Sequence, residues 1–165
     1  MSAEAADGRR LLAAAALLAL LAVGVALVTE HAMDMRPCPW CVLQRLEFVV
    51  IALVAAVAWL WRSRGGLLFS SALVIGLANL GLLSALWQHF VAAASASCNL
   101  TLADRIIGAL QLDSLLPAVF AATASCADAK VTLLGVPYDF WSLSVFVVVE
   151  GLAVWAVLRT MRRAA

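Results

Sequence analysis

The chain has 165 residues, 65% of them apolar and only 13% charged, with a mean hydropathy of +1.03. An ordinary soluble domain is about 45–50% apolar and about 25% charged, so too few charged side chains are present to cover a globule in water, and a soluble single-domain enzyme is excluded. A formal charge of +1 with no basic stripe gives no nucleic-acid footprint either.

Four apolar stretches follow one another: Leu11 to Val28, Val42 to Trp61, Leu67 to Trp87 and Phe140 to Leu158. Each comes close to the ~20 residues a helix needs to cross a hydrocarbon core about 30 Å thick. Backbone in lipid must satisfy its own hydrogen bonds, and no period-2 alternation supports a barrel. The sequence therefore predicts an all-α membrane protein, a single four-transmembrane-helix bundle over residues 1–165, with the lipid bilayer as its main partner. Arg9, Arg10, Arg62, Arg64, Arg159, Arg162 and Arg163 flank the spans on one side; Arg36, Arg45, Arg105 and Lys130 fall on the other. Positive charge in short loops marks the cytoplasm, so both termini are expected there and the loops at about 29–41 and 90–139 outside. Arg9-Arg10 and Gly24-Val25-Ala26 also allow a cleavable signal peptide, but the apolar run continues to Val28 and is long for one.

The first outer loop carries Cys38-Pro39-Trp40-Cys41, a C-x-x-C pair placed where the second span begins. Arg45 stands one turn deeper on the face of Cys41. A helix N-terminus and a cation both favour a thiolate, the reactive form of cysteine. An arginine at membrane depth is costly and seldom idle, although snorkelling to the headgroups is its plain alternative. Glu47 cannot neutralise it, because residues two apart on a helix do not face each other. Arg62-Ser63-Arg64-Gly65-Gly66 reads as a connector. Asn79 in the third span and Glu150 in the fourth are expected to face the bundle, with proton handling by Glu150 left open. Trp87, Gln88 and His89 end the third span as interfacial anchors or, beside Arg45, as the lining of a site for an amphipathic redox cofactor.

In the long outer segment Leu102 to Leu116 is amphipathic, and lies in the headgroup layer or packs on its own loop. Cys98 and Cys126 are 28 positions apart there. All four cysteines thus lie on the predicted outer side, where an oxidising compartment favours disulfides. Two structural disulfides are the bland interpretation, but a C-x-x-C pair closes too short a loop to restrain the unfolded chain much. Zinc held by the cysteines with His31 and His89 fits poorly, since only one pair has metal-like spacing, and no metal is expected. Val42 after Cys41 is not the histidine that haem attachment requires.

Pro37-Cys38-Pro39-Trp40-Cys41-Val42-Leu43-Gln44-Arg45 resembles the P-C-x-x-C-x-x-Q-R signature of the DsbB family of bacterial disulfide bond formation proteins. Ser125-Cys126-Ala127-Asp128, Leu134-Gly135-Val136-Pro137 and Trp141-Ser142-Leu143 resemble that family's second-loop cysteine and its entry to the last helix. The chain departs from the pattern in Trp40, which replaces a small aliphatic residue, and in a short interval from His89 to Cys98. The vitamin K epoxide reductases, of similar architecture, carry their C-x-x-C in a late helix. The DsbB resemblance implies a four-helix inner-membrane thiol-disulfide oxidoreductase that supports periplasmic disulfide formation. Cys98 and Cys126 would take electrons from a DsbA-like thioredoxin-fold oxidase, and Cys38 and Cys41 would pass them to the membrane quinone pool. Arg45, Gln44 and His89 would bind the quinone, ubiquinone ahead of menaquinone. A four-span structural protein with stapling disulfides, and a same-fold oxidase dedicated to one special substrate, are the rival interpretations.

Overall fold

The computed structural model describes residues 3–61, 63–94 and 100–161, with side chains from Asp7 onward. Cys98, Arg62, Arg162 and Arg163 lie outside the described residues. Four long helices dominate: α1 (Ala3–Met33), α2 (Pro39–Leu60), α3 (Arg64–Phe90) and, after the second loop, α7 (Tyr138–Met161). All four are long and apolar enough to cross a membrane. They form a closed ring in the order α1, α2, α3, α7, each packed on its two neighbours.

The packing inverts the arrangement of a soluble bundle. Leu12, Ala15, Ala19 and Val23 of α1 face Ile51, Ala55 and Ala58 of α2 and Val149, Ala153 and Ala156 of α7. Small residues on the inner faces let helix backbones approach closely, which matters in lipid because burying apolar surface there brings little gain. The large aliphatic side chains turn outward instead: Leu17, Leu21, Leu53, Leu80, Leu83 and Val147 are all more than half exposed. Two aromatics fill the widest part of the interior, with Phe48 and Phe146 stacked at 4.0 Å between centroids and 9° between planes. Gly81 makes room for them, since a β-carbon there would meet the Phe146 ring.

Asn79 and Glu150 do not face the bundle as expected. Phe146 and Val149 take the inward face of α7, so Glu150, rotated by one residue, reaches the outer seam with α3. There Asn79 Nδ2 donates to Glu150 Oε1 at 2.9 Å and to the Ile75 carbonyl at 2.9 Å. The two polar groups satisfy each other on the lipid-facing side.

The helix ends nearest the cysteines also differ from the hydropathic spans. α1 continues to Met33, carried through polar residues by Thr29 Oγ1 donating to the Ala26 carbonyl and by His31 on the Leu27 carbonyl. α2 starts at Pro39, the first-turn position where a missing N–H is harmless.

The second loop is built of short pieces. α4 (Leu102–Ala109) opens with a capping box in which Thr101 and Asp104 satisfy each other's backbone N–H. Gln111, left-handed at φ 55°, breaks the amphipathic stretch into α4 and α5 (Leu112–Leu115), and α6 (Pro117–Phe120) follows after Leu116. Ala103 and Ile107 bury against Trp40, Leu43 and Val42 of α2, while Leu102, Leu110 and Leu115 stay exposed. The stretch therefore lies across the end of α2 rather than on its own loop alone. A hairpin of β1 (Thr132–Leu133) and β2 (Val136–Pro137) turns through Leu134 and Gly135, both at positive φ, and leads into α7.

Candidate functional site

Three sulfurs meet where α2 begins. Cys38 is the N-cap of α2, extended at φ −87° and ψ 168°, and its Sγ accepts from the Cys41 backbone N–H at 3.3 Å. The C-x-x-C spacing then brings the two sulfurs to 2.9 Å. Cys126 comes from the second loop. Its neighbours Thr123 and Ala124 both donate backbone N–H groups to the Pro37 carbonyl, at 3.0 and 3.1 Å. That mooring sets Cys126 against Cys38, within hydrogen-bond reach, and under the Trp40 backbone N–H. Cys38 is wholly buried, whereas Cys41 and Cys126 are partly exposed. Cys38 is thus the middle sulfur of the three. Donation to Cys126 and Cys41, together with burial, pushes the Cys38 thiol up. Accepting that hydrogen bond holds Cys126 below the ordinary thiol range, against the opposing effect of its partial burial.

Below the sulfurs lies a cavity of about 350 Å³ between α1, α2, α7 and the hairpin. Its walls are largely apolar, with Leu18, Ala22, Phe48 and Val145 among them, and Leu21, Val25 and Trp141, exposed on the lipid side, form its lip. Cys41, Gln44, Arg45, Gln88, Tyr138 and Asp139 bring polar atoms to it. The Tyr138 hydroxyl is hydrogen bonded to Thr29 Oγ1 at 3.0 Å, which ties α7 to α1.

Arg45 lines this cavity together with Cys41, but its guanidinium is directed elsewhere. Arg45 Nη1 donates to Glu30 Oε2 at 2.6 Å and to the Val119 carbonyl at 3.0 Å, and Nη2 donates to the Ala26 carbonyl at 3.5 Å. The expected direct support of Cys41 by Arg45 is replaced by a clamp joining α1, α2 and α6. Gln88 supports the sulfur instead: its Nε2 donates to Cys41 Sγ at 3.2 Å, and its Oε1 accepts from Gln44 Nε2 at 2.7 Å. His89 is not among the residues lining the cavity. Its Nδ1 pairs with Asp139 Oδ2 at 2.5 Å and its ring sits between Phe90 and Phe140. Asp139 does line the cavity, so His89 reaches it at one remove.

Of the residues expected to act, Cys38, Cys41 and Cys126 are brought together, with Arg45 and Gln44 close by. Glu30 and Tyr138 were not legible as part of the site. A carboxylate at the outer end of a span, nine residues before the helix that carries Arg45, was the signal for Glu30.

The model of the DsbB family, described as disulfide bond formation protein DsbB, matches residues 8–156. Among curated relatives, the disulfide bond formation protein B of Ralstonia nicotianae is 34% identical, covering 90% of this chain and 92% of that one. The protein of the same name from Polaromonas naphthalenivorans is 32% identical over 94% of both chains. Disulfide bond formation protein B 1 of Pseudomonas putida is 31% identical, again over 94% of both. No solved structure matches significantly. A membrane-capable four-helix bundle that gathers three cysteines at one end, matched over nearly its whole length, makes this chain a member of the DsbB family of disulfide bond formation proteins.

Proposed function

We propose that the protein is an inner-membrane dithiol:quinone oxidoreductase, which reoxidises a DsbA-like thioredoxin-fold oxidase in the periplasm and passes the electrons to the quinone pool. One observation carries this reading: Cys126 of one loop touches Cys38 of the other, and Cys41 opens onto an apolar cavity with a lip toward lipid. A staple would need only pairs, whereas three sulfurs in series make a relay.

The relay balances as thiol–disulfide exchange. The partner's dithiol reduces the Cys98–Cys126 disulfide, with Cys98 forming the mixed disulfide, and Cys126 is released as a thiolate. Cys126 Sγ then attacks Cys38 of the Cys38–Cys41 disulfide. The Cys126–Cys38 bond forms, the Cys38–Cys41 bond breaks, and Cys41 leaves as a thiolate. Attack falls on the middle sulfur, so the electrons emerge on the residue facing the cavity. The partner's second thiol then resolves the mixed disulfide and frees Cys98, and Cys98 attacks Cys126 to re-form Cys98–Cys126 and release Cys38. The Cys38–Cys41 bond re-forms as the partner's two electrons and two protons leave to the acceptor.

The cavity suits an amphipathic ring with an apolar tail. The aliphatic walls of α1 and α7 would hold the tail, and Gln44, the Tyr138 hydroxyl and the Cys41 sulfur would meet the polar ring. A quinone bound there supplies the two-electron acceptor. Arg45 lines the cavity with its guanidinium turned to Glu30, so it would bear on developing oxygen charge through the local field and not by contact. His89 would act through Asp139.

The test is quinone reduction by the purified protein given a reduced DsbA-like dithiol, with ubiquinone tried first and menaquinone second. Quinone loss that disappears in Cys38→Ala is expected; no reduction with either quinone overturns the proposal and favours the staple or special-substrate readings. Orientation is tested separately. Variants keeping only Cys98 or only Cys126 should react with a membrane-impermeant maleimide in intact cells, and labelling only after permeabilisation overturns the outward placement.

A further inference from the structure

Two buried amides stand in line behind the Cys41 sulfur. Gln44, on α2 and three residues after Cys41, is 3% exposed; Gln88, in the last turn of α3, is 7% exposed. Gln44 Nε2 donates to Gln88 Oε1 at 2.7 Å, and Gln88 Nε2 donates to Cys41 Sγ at 3.2 Å. The order of atoms is N–H to O, then N–H to S. Because Oε1 of Gln88 is taken as an acceptor, the other end of that amide must point its N–H groups at the sulfur. A neutral thiol is a weak acceptor, whereas a thiolate is a strong, charge-assisted one. A buried amide placed this way discriminates between the two states of the sulfur, and hydrogen bonding to the charged form favours that form. Chained amides also polarise one another, which strengthens the terminal donor.

The other ionisable groups near Cys41 do not supply this. Arg45 is satisfied by Glu30 and two carbonyls, Arg36 by Asp34, Asp139 by His89, and the Tyr138 hydroxyl by Thr29. Cys38 donates from the loop side, but it is consumed whenever its own disulfide forms. Beside the Cys38 backbone N–H, Gln88 is the side-chain donor that persists when the Cys38–Cys126 bond has formed and Cys41 is alone.

We propose that Gln88 stabilises the thiolate of Cys41 directly, and that Gln44 is a positioning residue that fixes the sense of the Gln88 amide. The inference deepens the proposed relay and rests on it for its purpose, but its test does not pass through quinone.

Cys41 is kept as the single cysteine by replacing Cys38, Cys98 and Cys126 with serine, and its alkylation rate by a small neutral reagent is followed against pH in detergent. Gln88→Leu, which removes the donor, is expected to slow alkylation at neutral pH about tenfold and to move the profile to higher pH. Gln88→Glu places a carboxylate against the sulfur and is expected to slow it further. Gln44→Leu leaves the amide free to turn and should give a smaller shift in the same direction, which a merely structural role would not produce. Thermal melts of each variant identify any that fail to fold, and Gln88→Leu with Gln44→Leu suffices if the glutamate variant does. A folded Gln88→Leu protein with an unmoved profile overturns the proposal. If the profile moves while the parent protein reduces no quinone, the relay of amides stands and the quinone reading falls.

Discussion

Cys126→Ser protein, offered a reduced DsbA-like partner and quinone, is expected to turn over no faster than the Cys38→Ala control, a loss on the order of 10³-fold or more. The same variant should still reduce quinone when dithiothreitol is supplied, because a small dithiol can reach the partly exposed Cys41 without the second loop. The reasoning rests on the order of the sulfurs. Among the described cysteines, Cys126 lies within hydrogen-bond reach of the buried Cys38. A hydroxyl in its place cannot exchange with a disulfide, so electrons arriving at the second loop have no path inward. The thiol of Cys126 also owes its low range to donation from Cys38. In fully reduced protein, Cys126 should therefore alkylate readily below the pH usual for thiols, and Cys38→Ala should slow it at neutral pH. Full partner-driven turnover by Cys126→Ser would remove this residue from the relay.

Glu30→Ala is expected to destabilise the protein by about 3–5 kcal/mol, the usual consequence of breaking a buried ion pair by removing one partner. In a thermal melt that is a downward shift on the order of 10 °C. The side chains of Arg45 and Glu30 are only 6% and 14% exposed, so solvent screens them little, unlike the exposed pair of Arg10 with Asp7. Removing Glu30 leaves a guanidinium held by two carbonyls in an apolar surround. The double variant Glu30→Leu/Arg45→Met removes both charges and should recover most of the lost stability, while quinone reduction stays impaired. A melt unchanged in Glu30→Ala would show that the clamp contributes nothing.

The four spans were legible because lipid imposes one simple requirement, a long apolar helix, and hydropathy reads it directly. The helix ends were not. Hydropathy stops α1 at Val28, yet Thr29, Glu30 and His31 continue it because each finds a partner, two of them on the helix's own carbonyls and Glu30 on Arg45. A sum over single residues cannot register polar groups that are satisfied across helices. The same reason hides the partners of the site. Cys38 and Cys41 were legible from their spacing, and Gln44 and Arg45 from the run that follows. That Arg45 turns to Glu30 and Gln88 turns to Cys41 depends on how α1 and α3 pack on α2. The approach of Cys126 to Cys38 depends on the Pro37 carbonyl, a backbone group that no side-chain pattern announces. Glu150 was misplaced for a subtler reason: the inward face of α7 is filled by Phe146 and Val149, and one residue of rotation separates inside from outside.

The two amide donors on the Pro37 carbonyl set how often the loops part. A net hydrogen bond is worth about 0.5–1.5 kcal/mol, so these two, with the two that Cys126 makes to Cys38 and the Trp40 N–H, hold residues 121–128, of which none is fully buried, by roughly 2–6 kcal/mol. At room temperature that corresponds to a detached loop for at most about 3% of the time. Such a latch is closed in nearly every molecule at any instant, yet opens without help many times within a single catalytic cycle if loop motions keep to their usual nanosecond-to-microsecond range. A docking protein would then need no energy of its own to lift the second loop, and tightening the latch, rather than loosening it, would be the change that slows turnover.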